Sequence, residues 1–297
     1  MSVCRLSALR PLPSSTFMRT LANISNDNHK MMIAIHQKIP TIFQSKNPHA
    51  IELKLDEMIK KEGENLDISH FASLIHQAAK VKFRMDLSSI TKLILQRTED
   101  KMSMIYVGQM FYGLQQYWSD QEQHVLQLIE VVTPKVKSLT RITPQTIANI
   151  FFGLQNLSSS HEEVRALLRV LTEKIQSSKN QLWKAQEIGM ALRGLRNMSS
   201  ADEEVLSLIS ALIPNINICR DEMQPLSMVN VMSGLRNMSS KKHEVASLIA
   251  ALVPTFKSCK KPLGSVQICL LLNGKLLIII IDDYSSHLPS SLKCPYW

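Results

Sequence analysis

The sequence predicts an all-α protein, an α-solenoid (alpha-alpha superhelix) of about 40-residue two-helix repeats. Three observations carry that expectation. The heptapeptide GLRNMSS is written twice, at Gly194–Ser200 and Gly234–Ser240, and a close variant, GLQNLSS, stands at Gly153–Ser159. Gly113, Gly153, Gly194 and Gly234 recur at separations of 40, 41 and 40 residues, and Val125, Val164, Val205 and Val245 follow at 39, 41 and 40. Pro134, Pro214 and Pro254 keep the same period, with Glu173 in the skipped slot. The composition agrees with helices. Apolar residues make up 45% of the 297 positions, aromatics only 5%, and there are 9 glycines.

Taken in chain order, residues 1–28 read as a disordered basic leader. Arg5, Arg10 and Arg19 come before the first acidic residue, Asp27, among many Ser and Thr, and no apolar core of a secretory signal is present. That is the make-up of a transit peptide, and the localisation it predicts is mitochondrial, with plastid as the alternative. Residues 29–66 are expected to form an N-terminal helical cap, and 67–272 the helical repeat solenoid. A worn copy lacking the glycine opens it at Asp67–Val81, DISHFASLIHQAAKV. Four clear copies follow. A partial one starts at Pro262, where PLGSVQICLLL echoes PLSMVNVMSGL from Pro225, shortened to 37 residues.

Each copy reads as two helices. The first runs from Thr143 to Leu157, where Ile147, Ile150, Phe151, Leu154 and Leu157 draw an apolar stripe at three- and four-residue steps. The second runs from His161 to Ile175. Ser160 with Glu163, Ser200 with Glu203 and Asp120 with Gln123 fit capping boxes at its start. Lys241 and Lys242 predict a weaker cap in the fourth copy. Asn156, Asn197 and Asn237 are expected as left-handed helix ends. A glycine within a helix costs about 1 kcal/mol relative to Ala, so close approach of a neighbouring helix is the expected reason for it. The tail, 273–297, loses the period. Asn273–Gly274 between apolar runs signals a hairpin, and ICLLLNGKLLIIII is too short and too interrupted by Lys275 for a membrane span. The break in pattern also admits a tail that is not native coding sequence.

The unit PQTIANIFFGLQNLSSSHEEVRALLRVLTEKI resembles the repeats of octotricopeptide-repeat proteins and the related FAST-kinase-like, RAP-domain proteins. Pro144, Gln145, Ala148, Asn149, Gly153 and Leu154 match their Pro-Gln start and ANxLWALA-like helix, ahead of a second Leu-rich helix. The likeness covers Lys101–Lys257, and Asp67–Asp100 loosely. It implies an organellar RNA-binding protein without catalysis, acting in RNA processing, stability or translation. Such proteins often end in a RAP domain, for which the tail shows no pattern. Armadillo and HEAT repeats share the length and helical make-up, so a protein-binding scaffold using the same concave groove is the alternative.

Matching side chains on stacked first helices would line one surface. Amides read the edges of unstacked bases, rings and guanidinium planes stack on them, and arginines pair with phosphates. On these grounds the candidate RNA-binding residues are Gln145, Asn149, Phe152, Gln186, Arg193, Arg196, Asn230 and Arg236. The slot three places after each glycine, filled by Gln116, Asn156, Asn197 and Asn237, shares the face. A formal charge of +9 and a basic group at Lys241, Lys242, Lys257, Lys260 and Lys261 suit single-stranded RNA as partner. No catalytic residues, metal or cofactor are expected. GxxxxGK(S/T), GxGxxG, HExxH and GxSxG do not occur. Asp282–Asp283 is the only adjacent Asp pair, and nothing supports it. The five cysteines form no CxxC pair, and His70 and His76, near Asp67, lack metal-ligand spacing.

Overall fold

The computed structural model describes residues 30–262 except positions 98, 118, 179 and 180. The expected leader, the partial copy beyond Pro262 and the tail lie outside the described residues.

The described chain is all-helical, with no strand. Helix α1 spans 30–42. It is followed by α2 (Pro48–Glu62), α3 (Ile68–Lys80), α4 (Leu87–Leu95), α5 (Met104–Leu114) and α6 (Glu122–Ser138). Then come α7 (Pro144–Gly153), α8 (Glu162–Ser177), α9 (Ala185–Gly194), α10 (Glu203–Asn217), α11 (Pro225–Leu235) and α12 (His243–Lys257). From α3 onward each helix packs on the next but one. One row runs α3, α5, α7, α9, α11, and the other α4, α6, α8, α10, α12.

The apolar stripes explain the rows. In α7, Ile147, Ile150 and Phe151 are buried, and in α8 so are Val164, Leu167, Leu168, Leu171 and Ile175. Their spacing puts each set on one helical face, and burying each such side chain contributes roughly 1.5–3 kcal/mol. The buried apolar residues form one cluster reaching from Ile35 to Phe256.

The repeated glycines stand in the last turn of their helices, later than a mid-helix position, and each meets the backbone of the preceding helix in its row. A Cβ on Gly113 would lie 2.6 Å from the Ile75 carbonyl oxygen. On Gly153 it would meet the Phe111 carbonyl, on Gly194 the Phe151 carbonyl and on Gly234 the Leu192 carbonyl, closer still. For the last three the carbonyl is that of the residue two before the preceding glycine. No side chain fits there, which is why the letter recurs.

Three local expectations are corrected. First, the capping boxes at Ser160, Ser200 and Asp120 do not form. Helices α8 and α10 start later, at N-caps His161 and Asp202 without side-chain caps, and α6 starts after Gln121. The side chains are otherwise engaged. Asp120 pairs with Arg84 at 2.7 Å, and the buried Ser200 hydroxyl accepts the Ser239 N–H at 2.9 Å. One period earlier, the buried Ser159 hydroxyl accepts the Ser199 N–H, also at 2.9 Å. Second, the weaker fourth-copy cap sets nothing apart, because α12 at Lys242 is uncapped like the others. Third, the asparagines are not left-handed: among the described non-glycine residues only Lys82 has positive φ. Asn156 donates to the Gln115 carbonyl at 2.8 Å and Asn237 to the Arg196 carbonyl at 2.9 Å, each bonding the turn one period earlier. The second row is tied in a similar way. Lys135 donates to the Asp100 carbonyl at 2.5 Å, and Lys174, in the matching slot, to the Leu139 carbonyl.

Candidate nucleic-acid interface

The helices of the first row and the turns that follow them carry the candidate side chains, and the glycine contacts fix their register. Gly113 meets Ile75 as Gly153 meets Phe111, so Gln77 takes the glycine's place in α3. The slot just before it then reads His76, Tyr112, Phe152, Arg193 and Ser233 along α3, α5, α7, α9 and α11, all half-buried. The first three form a ladder of rings. Centroids are 5.3 Å apart between His76 and Tyr112, and 6.0 Å between Tyr112 and Phe152, whose planes differ by 27°.

The ladder leads into a cluster of arginines. Arg193 Nε donates to Gln155 Oε1 at 2.7 Å, and a terminal nitrogen of Arg193 donates to Asn230 Oδ1 at 3.1 Å. Arg236 donates to Asn197 Oδ1 at 2.9 Å. Arg196 sits between them in sequence register, and the buried Nε groups of Arg196 and Arg236 have no acceptor among the described residues. No described carboxylate pairs with any of the three. Burial lowers the proton affinity of Arg193, and the charges of Arg196 and Arg236 lower it further. Burial and the Arg236 charge do the same to Arg196. A guanidinium stays charged through such shifts, so three unneutralised cations share one place.

The remaining candidates are spread along the row. Gln145 is exposed and donates to the half-buried Asn149 at 2.9 Å, so these amides partly satisfy each other. Gln186 is exposed in α9, without a hydrogen-bond partner among the described residues, while Met190 fills the slot of Asn149 and Asn230 as a buried residue. Thus the structure gathers Arg193, Arg196, Asn230 and Arg236, places Phe152 on the ring ladder, and leaves Gln145, Asn149 and Gln186 outside the cluster's bonds. Lys241, Lys242, Lys257, Lys260 and Lys261 are all exposed.

Two participants escaped the sequence reading. Gln155, buried, orients Arg193; its signal was its slot, shared with Arg196 and Arg236 two places after the glycine. His76 joins the ladder, and would have been visible had the worn copy been aligned on Gln77. The fold also gathers His36, Asp67 and His70, whose possible ligand atoms lie within 4.8 Å of one another. Both His70 nitrogens are engaged. Nδ1 is 2.7 Å from Asp67 Oδ1, and Nε2 is 3.1 Å from the Met32 carbonyl. The His36 ring stacks on His70 at 4.1 Å and on Tyr106 at 5.1 Å, so the cluster docks α1 onto α3 and α5.

No described helix is long and apolar enough to cross a membrane. No protein-family model matches the chain, and no curated protein is detectably similar to it.

Proposed function

We propose that this chain is a non-catalytic, single-stranded-RNA-binding α-solenoid of two-helix repeats, acting on organellar transcripts in their processing, stability or translation. The observation that carries the reading is the arginine cluster, with no carboxylate partner among the described residues, at the end of a ring ladder. Electrostatic capture of phosphates beside aromatic platforms is the general mode of single-strand binding. Row-wise packing of alternate helices supports the solenoid, because it repeats one set of side chains along one surface. The resemblance of Pro144–Ile175 to octotricopeptide repeats supports the same class. The basic composition around Arg5, Arg10 and Arg19 supports delivery to a mitochondrion, with a plastid as the alternative address.

In this reading Arg193, Arg196 and Arg236 hold phosphates, and Phe152 stacks a base. Gln145, Asn149, Gln186 and Asn230 offer amides to base edges. The test is crosslinking in cells followed by sequencing of the bound RNA, with binding to single-stranded RNA measured in parallel. Organellar transcripts should be enriched, and changing Arg193, Arg196 and Arg236 together to Glu should abolish binding. Recovery of background RNA alone, with a peptide occupying the row instead, would favour a protein-binding scaffold of the armadillo or HEAT kind.

A further inference from the structure

RNA binding alone does not say which part of the strand meets the arginines. Building on the function proposed above, we propose that Arg193, Arg196 and Arg236 receive the terminal phosphomonoester of a single-stranded RNA, whose adjoining nucleotides run along Phe152 and Tyr112.

Charge is the first ground. An internal phosphodiester carries one negative charge, whereas a terminal phosphate carries close to two at neutral pH and presents three acceptor oxygens. A cluster of three guanidiniums with no described carboxylate among them matches the second group better than the first. The bonds already made are the second ground. Gln155, Asn230 and Asn197 each accept one N–H from the cluster. Neutral amides hold the planes of Arg193 and Arg236 without cancelling their charge. Each guanidinium has five donors, of which Arg193 spends two, Arg236 one and Arg196 none on described partners. The asymmetry of the row is the third ground. Rings fill the slot before the glycine on the α3 side of Arg193, as His76, Tyr112 and Phe152, while Ser233 follows it in α11. Among the described residues, a strand passing through would find a stacking platform on one side of the cluster only. A strand ending there needs no more than one.

The experiment compares one oligonucleotide in three forms: hydroxyl at both ends, 5′-monophosphate and 3′-monophosphate. Binding to the full chain is followed by fluorescence anisotropy at fixed salt. One phosphorylated form should bind at least about ten-fold tighter than the hydroxyl form, the factor expected from one added charge-assisted hydrogen bond. The other phosphorylated form reports which end the cluster takes. The triple variant R193Q/R196Q/R236Q should erase that preference while retaining part of the affinity for hydroxyl-ended RNA. A second arm needs no variant: the nucleoside monophosphate of the preferred end should displace phosphorylated RNA from the unaltered protein more effectively than the other isomer. Equal affinity for all three forms would overturn the end-recognition proposal and leave RNA binding standing. Absence of binding to every form would overturn both.

Discussion

Helix α5 contains two glycines whose replacement by alanine should move stability in opposite directions. Ordinarily Gly→Ala within a helix stabilises by roughly 0.5–1 kcal/mol, because the alanine loses less backbone freedom on folding. At Gly108 a Cβ would find Asn149 Nδ2 at 3.4 Å and Thr146 Cγ2 at 3.5 Å, which is ordinary contact. Gly108→Ala should therefore keep the full gain. At Gly113 the same atom would stand 2.6 Å from the Ile75 carbonyl oxygen and 2.7 Å from its carbon. The shortfall against ordinary contact is about 0.8 Å, and the obstacle is backbone, which cannot swing aside. Moving α5 off α3 by that much loosens Phe71, Leu74 and Ile75 against Val107, Met110 and Phe111, all buried. Overpacking of this kind costs about 1–3 kcal/mol, so once the gain of roughly 0.5–1 kcal/mol is set against it the net change at Gly113 is a loss of up to about 2.5 kcal/mol. For a domain of this size, 1 kcal/mol moves the melting temperature by roughly 2–4 °C. Thermal melts followed by circular dichroism should show Gly108→Ala a degree or more above the unaltered protein and Gly113→Ala several degrees below it. Gly153→Ala and Gly234→Ala, with closer carbonyls, should fall at least as far. If Gly113→Ala melts at or above the unaltered protein, the account of why the glycine recurs is wrong.

Ser159→Ala and Ser200→Ala each strip the acceptor from a backbone N–H one period on, at Ser199 and Ser239, and should cost about 1 kcal/mol in urea unfolding. Ser240→Ala, in the matching but exposed slot, should cost nothing measurable by the same assay. Burial, with the His70 charge adding and Asp67 opposing, holds the His36 ring below its ordinary 6.5. Burial and then Lys80 lower His76, against a hydrogen bond with the Gln109 backbone. A ring with lowered proton affinity in the fold is protonated first in the unfolded chain, so stability should fall as pH drops below about 6.5. Melts across that window should show it, and His36→Phe with His76→Phe, which keep rings in place, should flatten the profile. Asp67 acts lower on the scale. Burial pushes its carboxyl up, but the hydrogen bonds from the side chain and backbone of His70 outweigh this and hold it below 3.8. Its contribution is present above that value and should vanish only in stronger acid, a step missing in Asp67→Asn. Finally, replacing Arg193, Arg196 and Arg236 by Gln should flatten the plot of log affinity for single-stranded RNA against log salt by at least about 0.7, the change expected for each phosphate left unneutralised. An unchanged slope would remove these residues from the interface.

The period was legible because a packing constraint repeats in sequence whenever it repeats in space. The same backbone-to-backbone approach demands Gly113, Gly153, Gly194 and Gly234, and the stripes of α7 and α8 follow from spacing alone. Helix starts were misread because a serine three residues before a glutamate satisfies the local rule for a cap, while the contact that claims Ser200 comes from Ser239. Asn156 and Asn237 were misread in the same way. Their amides look like left-handed helix ends until the turns preceding them by one period are brought alongside. Among the candidate site residues, a repeated residue type did not show which side chains converge. Arg193 lies in α9, and Arg196 and Arg236 in the turns just after α9 and α11, so only packing of α9 on α11 draws them together. Gln155 and His76 were passed over because one looked like an imperfect copy of the arginine slot and the other lay in the copy without its glycine.

The heptapeptide can now be divided letter by letter between fold and ligand. Glycine admits the preceding helix. Leu154, Leu195 and Leu235 are buried, as are Leu157, Met198 and Met238. Asn156 and Asn237 bond the preceding turn, and Asn197 accepts from Arg236. The N–H of the first serine goes to the preceding copy in Ser199 and Ser239, and the hydroxyl of the second receives the following copy in Ser159 and Ser200. The third letter differs. As Gln155 it is buried and orients Arg193. As Arg196 its side chain bonds no described group, and as Arg236 its side chain reaches only an amide belonging to the preceding copy. A guanidinium left half-buried without a counter-charge is costly for a fold to keep. Six letters are explained by stacking and one is not, so the arginines at that slot are where selection for a ligand, rather than for packing, has the most room to act.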